Sequence, residues 1–159
     1  MTTTTGTTST PTATTTTTTV RLAVRATPGQ VWDALTDAAT TPAYYVGFRA
    51  EFDLTPGAAY RYTAGGGDMI TGRVLELEPG RRLVTTFQGH WDPEVAALPE
   101  SRVTFELSDA VMPLPGVTLL TCIHEGLPAA PVAGHLELGW VSILSGLKTL
   151  LETVRPLAA

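Results

Sequence analysis

The stretch HLELGWVSILSGLKTLLETV, residues 135–154, decides the fold because it carries the longest helical pattern in the chain. Its large apolar residues recur at the i, i+3, i+4, i+7 spacing that places side chains on one helix face. They are Leu136, Trp140, Ile143, Leu144, Leu147, Leu150, Leu151 and Val154. A face this wide predicts a long C-terminal helix that covers a large apolar surface.

Size and composition indicate one globular domain and exclude several partners. The 159 residues are enough for a single domain with its own core. The formal charge of −5 has the wrong sign for a phosphate-binding surface, so nucleic acid is not expected as a partner. Cys122 is the only cysteine, which excludes an internal disulfide and agrees with a cytoplasmic location. No apolar run reaches the about 18 residues of a membrane span.

The first nineteen residues, MTTTTGTTSTPTATTTTTT, differ in composition from the rest of the chain. Fourteen of them are threonine, and the segment lacks the basic start and apolar centre of a signal peptide. Because such a composition cannot assemble a core, we predict a disordered threonine-rich tail over residues 1–19, with a glycosylated stalk as the alternative. The folded domain is predicted over residues 20–155.

Strand patterns fill the chain between this tail and the terminal helix. VRLAVRA alternates as a strand does, and Thr27-Pro28 is a helix-start signal. A second short helical turn is expected over residues 38–45, limited in length by Pro42. Six further strands follow, separated by Gly- and Pro-containing turns and by one longer loop at residues 89–100.

Short connections between these strands predict antiparallel neighbours. The expected fold class is therefore α+β: a strongly curved antiparallel sheet of about seven strands wrapped on the long C-terminal helix, with two short helices after the first strand.

Six motifs, taken in order, carry a resemblance to a known family. They are VWDALTD, PGAAYRYT, ITGRVLELEPGRRLVTTF, RVTFEL, LLTCIHEGL and GWVSILSGLKTLLE. Together they resemble the SRPBCC superfamily of START-like and birch-pollen-allergen-like helix-grip proteins, in its branch similar to the activator of heat-shock-protein ATPase. The resemblance covers about residues 20–152. It implies the helix-grip fold, in which the C-terminal helix closes over a hollow in the sheet, but no particular activity.

The chain departs from the family's pattern near the end of the second short helix. The family often has tryptophan there, whereas this chain has Tyr44 and Tyr45, which changes the expected polarity of the pocket. Members named as chaperone activators also carry a separate preceding domain, and only the threonine tail precedes the fold here. A chaperone ATPase is thus a weaker expectation as partner than a small ligand. An exposed edge strand is compatible with either a monomer or a homodimer.

Strand alternation, combined with the family's pattern, selects the residues that would line such a hollow. Periodicity leaves the last strand undecided, and the family's pattern selects the face that carries His124. We predict binding of a small, mostly hydrophobic ligand between the sheet and the C-terminal helix, with no defined chemistry, no cofactor and no metal. The expected ligand-binding residues are Trp32, Tyr44, Tyr45, Phe48, Tyr60, Tyr62, Leu83, Thr85, Phe87, Trp91, Phe105, Leu120, His124, Trp140, Leu144 and Leu147.

The energetics of an interior cavity leave two interpretations open. At about 24 cal/mol per Å³, an empty hollow of about 300 Å³ would destabilise the fold by roughly 7 kcal/mol, comparable to the whole stability of a domain. Either water and a ligand occupy the interior, or the large aromatic side chains fill it as a core without a ligand.

His124 is the one candidate for catalysis, because a histidine acts as acid or base near neutral pH. In that case the chain would be a polyketide cyclase-like or hydrolase-like enzyme; otherwise His124 is a hydrogen-bonded structural residue. The His90-Trp91-Asp92 segment of the long loop is expected at the mouth of the pocket, where it could gate access. Metal binding would require His90 and Asp92 to converge with a further histidine, and no recognised spacing supports it.

Overall fold

A computed structural model describes residues 15–109, 114–128 and 130–157 of the chain. The elements in chain order are β1 (Thr16–Val24), α1 (Pro28–Thr36), a 3-10 turn (Thr41–Ala43), β2 (Arg49–Phe52), β3 (Ala59–Ala64), β4 (Gly67–Glu78), β5 (Arg82–Gly89), α2 (Pro93–Ala96), β6 (Ser101–Asp109), β7 (Thr118–Leu127) and α3 (Ala130–Thr153).

The seven strands form one antiparallel sheet in the order β1-β7-β6-β5-β4-β3-β2. From β2 to β7 neighbours in the sheet are neighbours in the chain, which is the meander that the short turns predict. Among the described strands only β1 pairs out of sequence, with β7, so β1 and β2 are the edges of the sheet in the described part of the chain. The predicted α+β helix-grip class is confirmed.

Local sequence chemistry sets the start of α1. The Thr27 hydroxyl accepts a hydrogen bond from the Gln30 backbone N–H at 3.2 Å, and the Gln30 side chain accepts one from the Thr27 N–H at 2.9 Å. This reciprocal cap satisfies two N–H groups that would otherwise be unpaired, and Pro28 needs no donor at the first helical position. The second predicted helix is only the 3-10 turn at Thr41–Ala43.

The first strand begins earlier than predicted. β1 starts at Thr16, and Thr18 and Thr19 pair with His124 and Ile123 of β7. The predicted tail is therefore wrong for residues 16–19, because threonine is β-branched and favours a strand wherever a sheet edge is available for pairing. The rest of that prediction, for residues 1–14, lies outside the described residues.

The C-terminal half of α3 is fastened to β1 and to the residues that follow it. The Lys148 ammonium donates to the Ala23 carbonyl at 2.7 Å and to the Glu152 carboxylate at 2.6 Å. The same carboxylate accepts from the Arg25 backbone N–H at 2.8 Å. These contacts place the apolar face of α3 over the interior side of the sheet. No helix in the described ranges is both long and apolar enough to cross a membrane.

The apolar face of α3 is buried as its periodicity predicts, with Trp140 5%, Leu144 1% and Leu147 0% exposed. The prediction for Val154 is wrong. α3 ends at Thr153, and Val154 adopts a left-handed φ of 59° and is 85% exposed. A helix pattern read from apolar spacing alone does not mark where the backbone leaves the helix.

Candidate functional site

The predicted lining residues gather on one side of the sheet, beneath α3. Fourteen of the sixteen are buried, and none of those fourteen is more than 7% exposed. The two others are Phe48, which is half-buried, and Trp91, which is 40% exposed. The inward face predicted for β7 is correct, since Leu120 and His124 are fully buried.

Aromatic rings in mutual contact form a layer between α3 and the sheet. Tyr45 lies at its centre, with its ring centroid 4.7 Å from that of Tyr62 and 5.9 Å from those of Phe48 and Trp140. Trp140 in turn contacts the Phe105 ring edge-on at 5.7 Å. These spacings are those of favourable aromatic pairs. A molecule bound in this interior would therefore lie against packed rings.

Two of the four tyrosine hydroxyls in this layer are already hydrogen-bonded to backbone carbonyls. Tyr44 donates to Ala34 of α1 at 2.6 Å, and Tyr60 donates to Thr86 of β5. Each bond fixes the orientation of its tyrosine ring, so Tyr44 and Tyr60 have a structural role in the aromatic layer. Burial raises the pKa of both phenols above its ordinary value.

Tyr60 reaches Thr86 by crossing Gly72 of the intervening strand β4. A Cβ at Gly72 would lie 2.3 Å from the Thr86 carbonyl oxygen and 2.7 Å from Cε1 of Tyr60. Only glycine leaves room for this crossing, so Gly72 is part of the framework that positions the aromatic layer.

The hydroxyls of Tyr45 and Tyr62 differ from the other two. Each residue is 5% exposed, and neither hydroxyl has a hydrogen-bond partner within the described part of the chain. Burial raises the pKa of both phenols well above its ordinary value, so both remain protonated and can donate as well as accept.

His124 is held by hydrogen bonds on both ring nitrogens. Its Nδ1 accepts from the Trp140 indole N–H at 3.1 Å, and its Nε2 lies 2.7 Å from the Ser101 hydroxyl. Because Nδ1 is an acceptor, the proton of the neutral ring is on Nε2 and is donated to Ser101. The Ser101 hydroxyl in turn donates a hydrogen bond to the Phe87 carbonyl at 3.3 Å.

Burial lowers the pKa of His124 to about 4, so the ring is neutral near pH 7. With both nitrogens engaged, it has no free lone pair or proton to exchange with a bound molecule. The geometry therefore favours the structural interpretation of His124. The chain of bonds through Trp140 and Ser101 links α3, β7, β6 and β5.

Trp91 is partly exposed at the edge of the aromatic layer. Its ring contacts Phe87 at 6.1 Å and the half-buried Phe48 at 6.4 Å, and so joins the aromatic layer to the surface. The ring lies over Gly89, where a Cβ would come within 2.6 Å of Trp91 and 2.5 Å of Val95. The absence of a side chain at Gly89 thus lets the indole fold back over the end of β5.

The two polar neighbours of Trp91 have local structural partners. The Asp92 carboxylate accepts from the Glu94 N–H at 2.8 Å and caps α2, while His90 Nε2 is 2.7 Å from the Thr71 hydroxyl. Neither converges with a further histidine. No group of three His, Cys, Asp or Glu side chains in the described residues is arranged to hold a metal ion.

Two residues of the interior were missed by the sequence analysis. Ser101 lies one residue before the RVTFEL motif, although the Val103 and Phe105 alternation extends to it. Thr18 was assigned to the tail, yet it is 5% exposed beside His124, and its hydroxyl has no partner in the described part of the chain. The high strand propensity of threonine was the available signal.

Comparison with known proteins identifies the family. The family model described as "Activator of Hsp90 ATPase homolog 1-like protein" matches residues 25–152. No curated protein matches the chain. Among solved structures, a protein from Mesorhizobium loti is 26% identical, with a TM-score of 0.70 over 86% of this chain and 97% of that one.

Two further structures extend the comparison. A protein from Chromobacterium violaceum is 30% identical, with a TM-score of 0.66 over 86% of this chain and 96% of that one. An HSP90 activator from Plasmodium falciparum is 23% identical, with a TM-score of 0.68 over 86% and 96% of the two chains. This chain belongs to the family of activator of Hsp90 ATPase homolog 1-like proteins, within the SRPBCC superfamily.

Proposed function

We propose that this chain binds a small, mostly hydrophobic molecule between α3 and the sheet, with no chemistry of its own. One observation carries the proposal: the Tyr45 and Tyr62 hydroxyls have no partner in the described part of the chain although both residues lie in the aromatic layer. A hydroxyl that forms no bond within the protein can both donate to and accept from a ligand oxygen.

The surroundings of the two hydroxyls supply the apolar contacts that such a ligand needs. The Tyr45 and Tyr62 rings, with Trp140, offer flat surfaces, and Leu120 and Leu144 offer aliphatic ones. Small-molecule sites in proteins have this composition, a mostly apolar wall with a few polar groups that orient the ligand. The ligand-binding set predicted from the sequence remains the proposed lining.

Access would be past Trp91 and Phe48. Their side chains are the only two of the sixteen proposed lining residues that are not buried, and they contact each other at the surface. Rotation of the Trp91 ring away from Phe87 would open a path to Tyr45 without moving any strand. Surface loops that cover a site commonly move in this way.

Native mass spectrometry of the purified protein with a panel of lipids, sterols and aromatic polyketides tests the proposal. We expect a one-to-one complex with at least one compound, weakened in the double variant Tyr45→Phe and Tyr62→Phe. Tyr44→Phe is the matched control, because its hydroxyl is already bonded to Ala34 and should not contribute to affinity. If no compound of the panel is retained, the proposal fails.

A polyketide cyclase-like or hydrolase-like activity through His124 is less well supported. It requires an imidazole nitrogen directed at the substrate, whereas both nitrogens of His124 are hydrogen-bonded within the protein. The test is the turnover of an identified ligand by His124→Ala: unchanged turnover removes His124 from the chemistry.

A second candidate function is regulation of a chaperone ATPase. The family description and the Plasmodium falciparum relative's title both name that role for similar proteins. In this chain Leu138 is 66% and Val141 43% exposed on α3, and they would suit a protein partner. An ATPase assay with a heat-shock chaperone tests it, and no stimulation at high protein concentration rejects it. The cytoplasmic location and the choice between monomer and homodimer stay predictions.

A further inference from the structure

The two edge strands of the sheet differ in how far their outer backbone groups are covered. β2 is only 4 residues long, and its Ala50 N–H donates to the Thr41 hydroxyl at 2.8 Å. β1 is 9 residues long, and α3 reaches its outer side near the end of the strand, where Lys148 donates to the Ala23 carbonyl. A long edge strand with uncovered N–H and C=O groups is a template for pairing with another strand.

Alternation along β1 identifies the backbone groups that face away from β7. In an antiparallel ladder, successive residues direct their N–H and C=O groups to opposite sides of the strand. The Ala23 carbonyl and the Arg25 N–H both bond to α3, so the odd-numbered residues face outward. The outward residues nearer the start of β1 are Thr17, Thr19 and Arg21, and within the described ranges no hydrogen bond reaches their outer backbone groups.

The N-terminal half of α3 leaves this part of the edge open. The helix contacts β1 at Ala23 and then, one turn later, at the next outward residue, so helix and strand run in the same direction. Val141 lies about two turns before Lys148 on the same side of α3, which places it about 10 Å back along the strand, close to Thr19. Val141 is 43% and Leu138 66% exposed, so the helix does not cover the edge there.

We propose that β1 pairs antiparallel with β1 of a second copy of this chain, about a two-fold axis at Thr19. Thr19 then faces Thr19 of the partner subunit, and Thr17 faces Arg21 of the partner subunit. The three pairs of outward residues would exchange about six hydrogen bonds. Pairing ends beyond Arg21, because the Ala23 carbonyl is already bound to Lys148. One sheet would thus run through both subunits.

Charge complementarity supports a second copy as the partner. The exposed Arg21 belongs to no ion pair in the part of the chain that the structure describes. Thr17 lies opposite Glu125 of β7, in a shallow cleft of about 500 Å³ that Glu100 and Arg102 also line. Two carboxylates and one guanidinium leave this cleft one negative charge in excess. The proposed pairing places Arg21 of each copy beside the cleft of the other.

The same axis accounts for the exposed apolar residues of α3. Because Val141 lies close to the level of Thr19, the axis places it near Val141 of the partner subunit, with Leu138 one turn away. Apolar side chains that are exposed in one copy would be covered by the same residues of the other. A two-fold interface requires such self-complementarity.

Sedimentation equilibrium of the full chain over a range of concentrations tests the proposal. We expect a dimer, with slow amide hydrogen exchange at Thr17, Thr19 and Arg21. Thr19→Pro removes the central donor from both copies without removing a bond to β7, because this N–H faces outward. The dissociation constant of the dimer should rise about 100-fold. Thr19→Val is the matched control; it keeps the N–H and should leave the dissociation constant unchanged.

Val141→Glu tests the helix side of the interface, and it decides the matter if Thr19→Pro does not fold. Two carboxylates would then face each other across the axis, so the dissociation constant should rise at least about tenfold. Gly139→Glu is its control. Gly139 lies about two and a half turns before Lys148, on the opposite side of α3, where a Cβ meets nothing within 4 Å.

Three results would overturn the proposal. The first is a chain that stays monomeric at every concentration. The second is a dimer that neither Thr19→Pro nor Val141→Glu weakens, which would place the interface elsewhere. The third is a monomer in which the amides of Thr17, Thr19 and Arg21 exchange slowly, which would mean that another segment of the same chain covers the edge. None of these measurements depends on whether a small molecule binds beneath α3.

Discussion

The indole N–H of Trp140 donates a hydrogen bond to Nδ1 of His124 at 3.1 Å, which ties α3 to β7. Both residues are buried, 5% and 0% exposed, so the bond is shielded from water. It also fixes the neutral tautomer of the ring and directs the other nitrogen to Ser101. Closure of the helix over the sheet therefore depends on His124 being uncharged.

Acidification should destabilise the fold through His124. Its pKa is about 4 in the folded state and about 6.5 when exposed, so the stability is fully present above about pH 6.5 and is lost as the pH falls towards 4. Between these two pH values the free energy of unfolding should fall by up to about 1.4 kcal/mol for each pH unit of acidification. Denaturant unfolding at pH 7, 6 and 5 measures it. In His124→Gln the free energy of unfolding should depend less on pH. An equal pH dependence in that variant would mean that other groups cause the effect.

Removal of the indole donor should weaken the fold and release the histidine. Trp140→Phe leaves Nδ1 of His124 without its partner and leaves a cavity. Together these changes should lower the free energy of unfolding by about 2–4 kcal/mol. The pKa of His124 should rise above about 4, because the Trp140 N–H no longer opposes a proton on Nδ1, while burial still keeps it below 6.5. An NMR pH titration of the imidazole carbons measures this. Trp91→Phe is the control, since its exposed ring makes no such bond; an equal pKa change there would contradict the account.

Alanine at Gly72 should destabilise the protein by about 1–3 kcal/mol, the usual effect of overpacking. The new methyl would meet the Thr86 carbonyl oxygen at 2.3 Å, and a backbone atom in a sheet cannot move aside. Gly67→Ala is the matched control in the same strand, because its Cβ would come no closer than 3.9 Å to the Ala64 oxygen. Thermal unfolding compares the two. Equal melting temperatures would show that Tyr60 does not cross β4 as described.

Thr18→Val should leave stability unchanged or raise it by up to about 1 kcal/mol, because it replaces an unpartnered buried hydroxyl with a methyl group of the same shape. Thr118→Val is the contrasting control. The Thr118 hydroxyl donates to the Ala26 carbonyl at 2.7 Å, so its loss should destabilise the fold by about 1–2 kcal/mol. Equal destabilisation by both variants in denaturant unfolding would mean that the Thr18 hydroxyl has a partner.

The elements that could be predicted from the sequence are those whose pattern is local. The 3.6-residue spacing through Trp140, Leu144 and Leu147 predicts α3 and the face it buries, and alternation predicts the strands. The start of β1 has no such pattern, because consecutive threonines show no apolar alternation. Their pairing is set by β7, more than a hundred residues away in the sequence.

The arrangement of the candidate site was predicted only in outline. Alternation and the family's pattern direct His124 inwards, but the bonds that define its role join residues 16 and 23 positions apart, on different elements. Whether a buried histidine exchanges protons or supports a helix depends on such partners, which only the three-dimensional structure shows. The same holds for the difference between the free Tyr45 hydroxyl and the bonded one of Tyr44.

The most direct test of ligand binding beneath α3 is the Trp140 indole N–H resonance in a two-dimensional NMR titration with a ligand retained in mass spectrometry. The account expects this resonance to shift with saturation, together with amides around Tyr45 and Tyr62. Saturating shifts confined to the exposed side of α3, around Leu138 and Val141, with the Trp140 resonance unchanged, would contradict it.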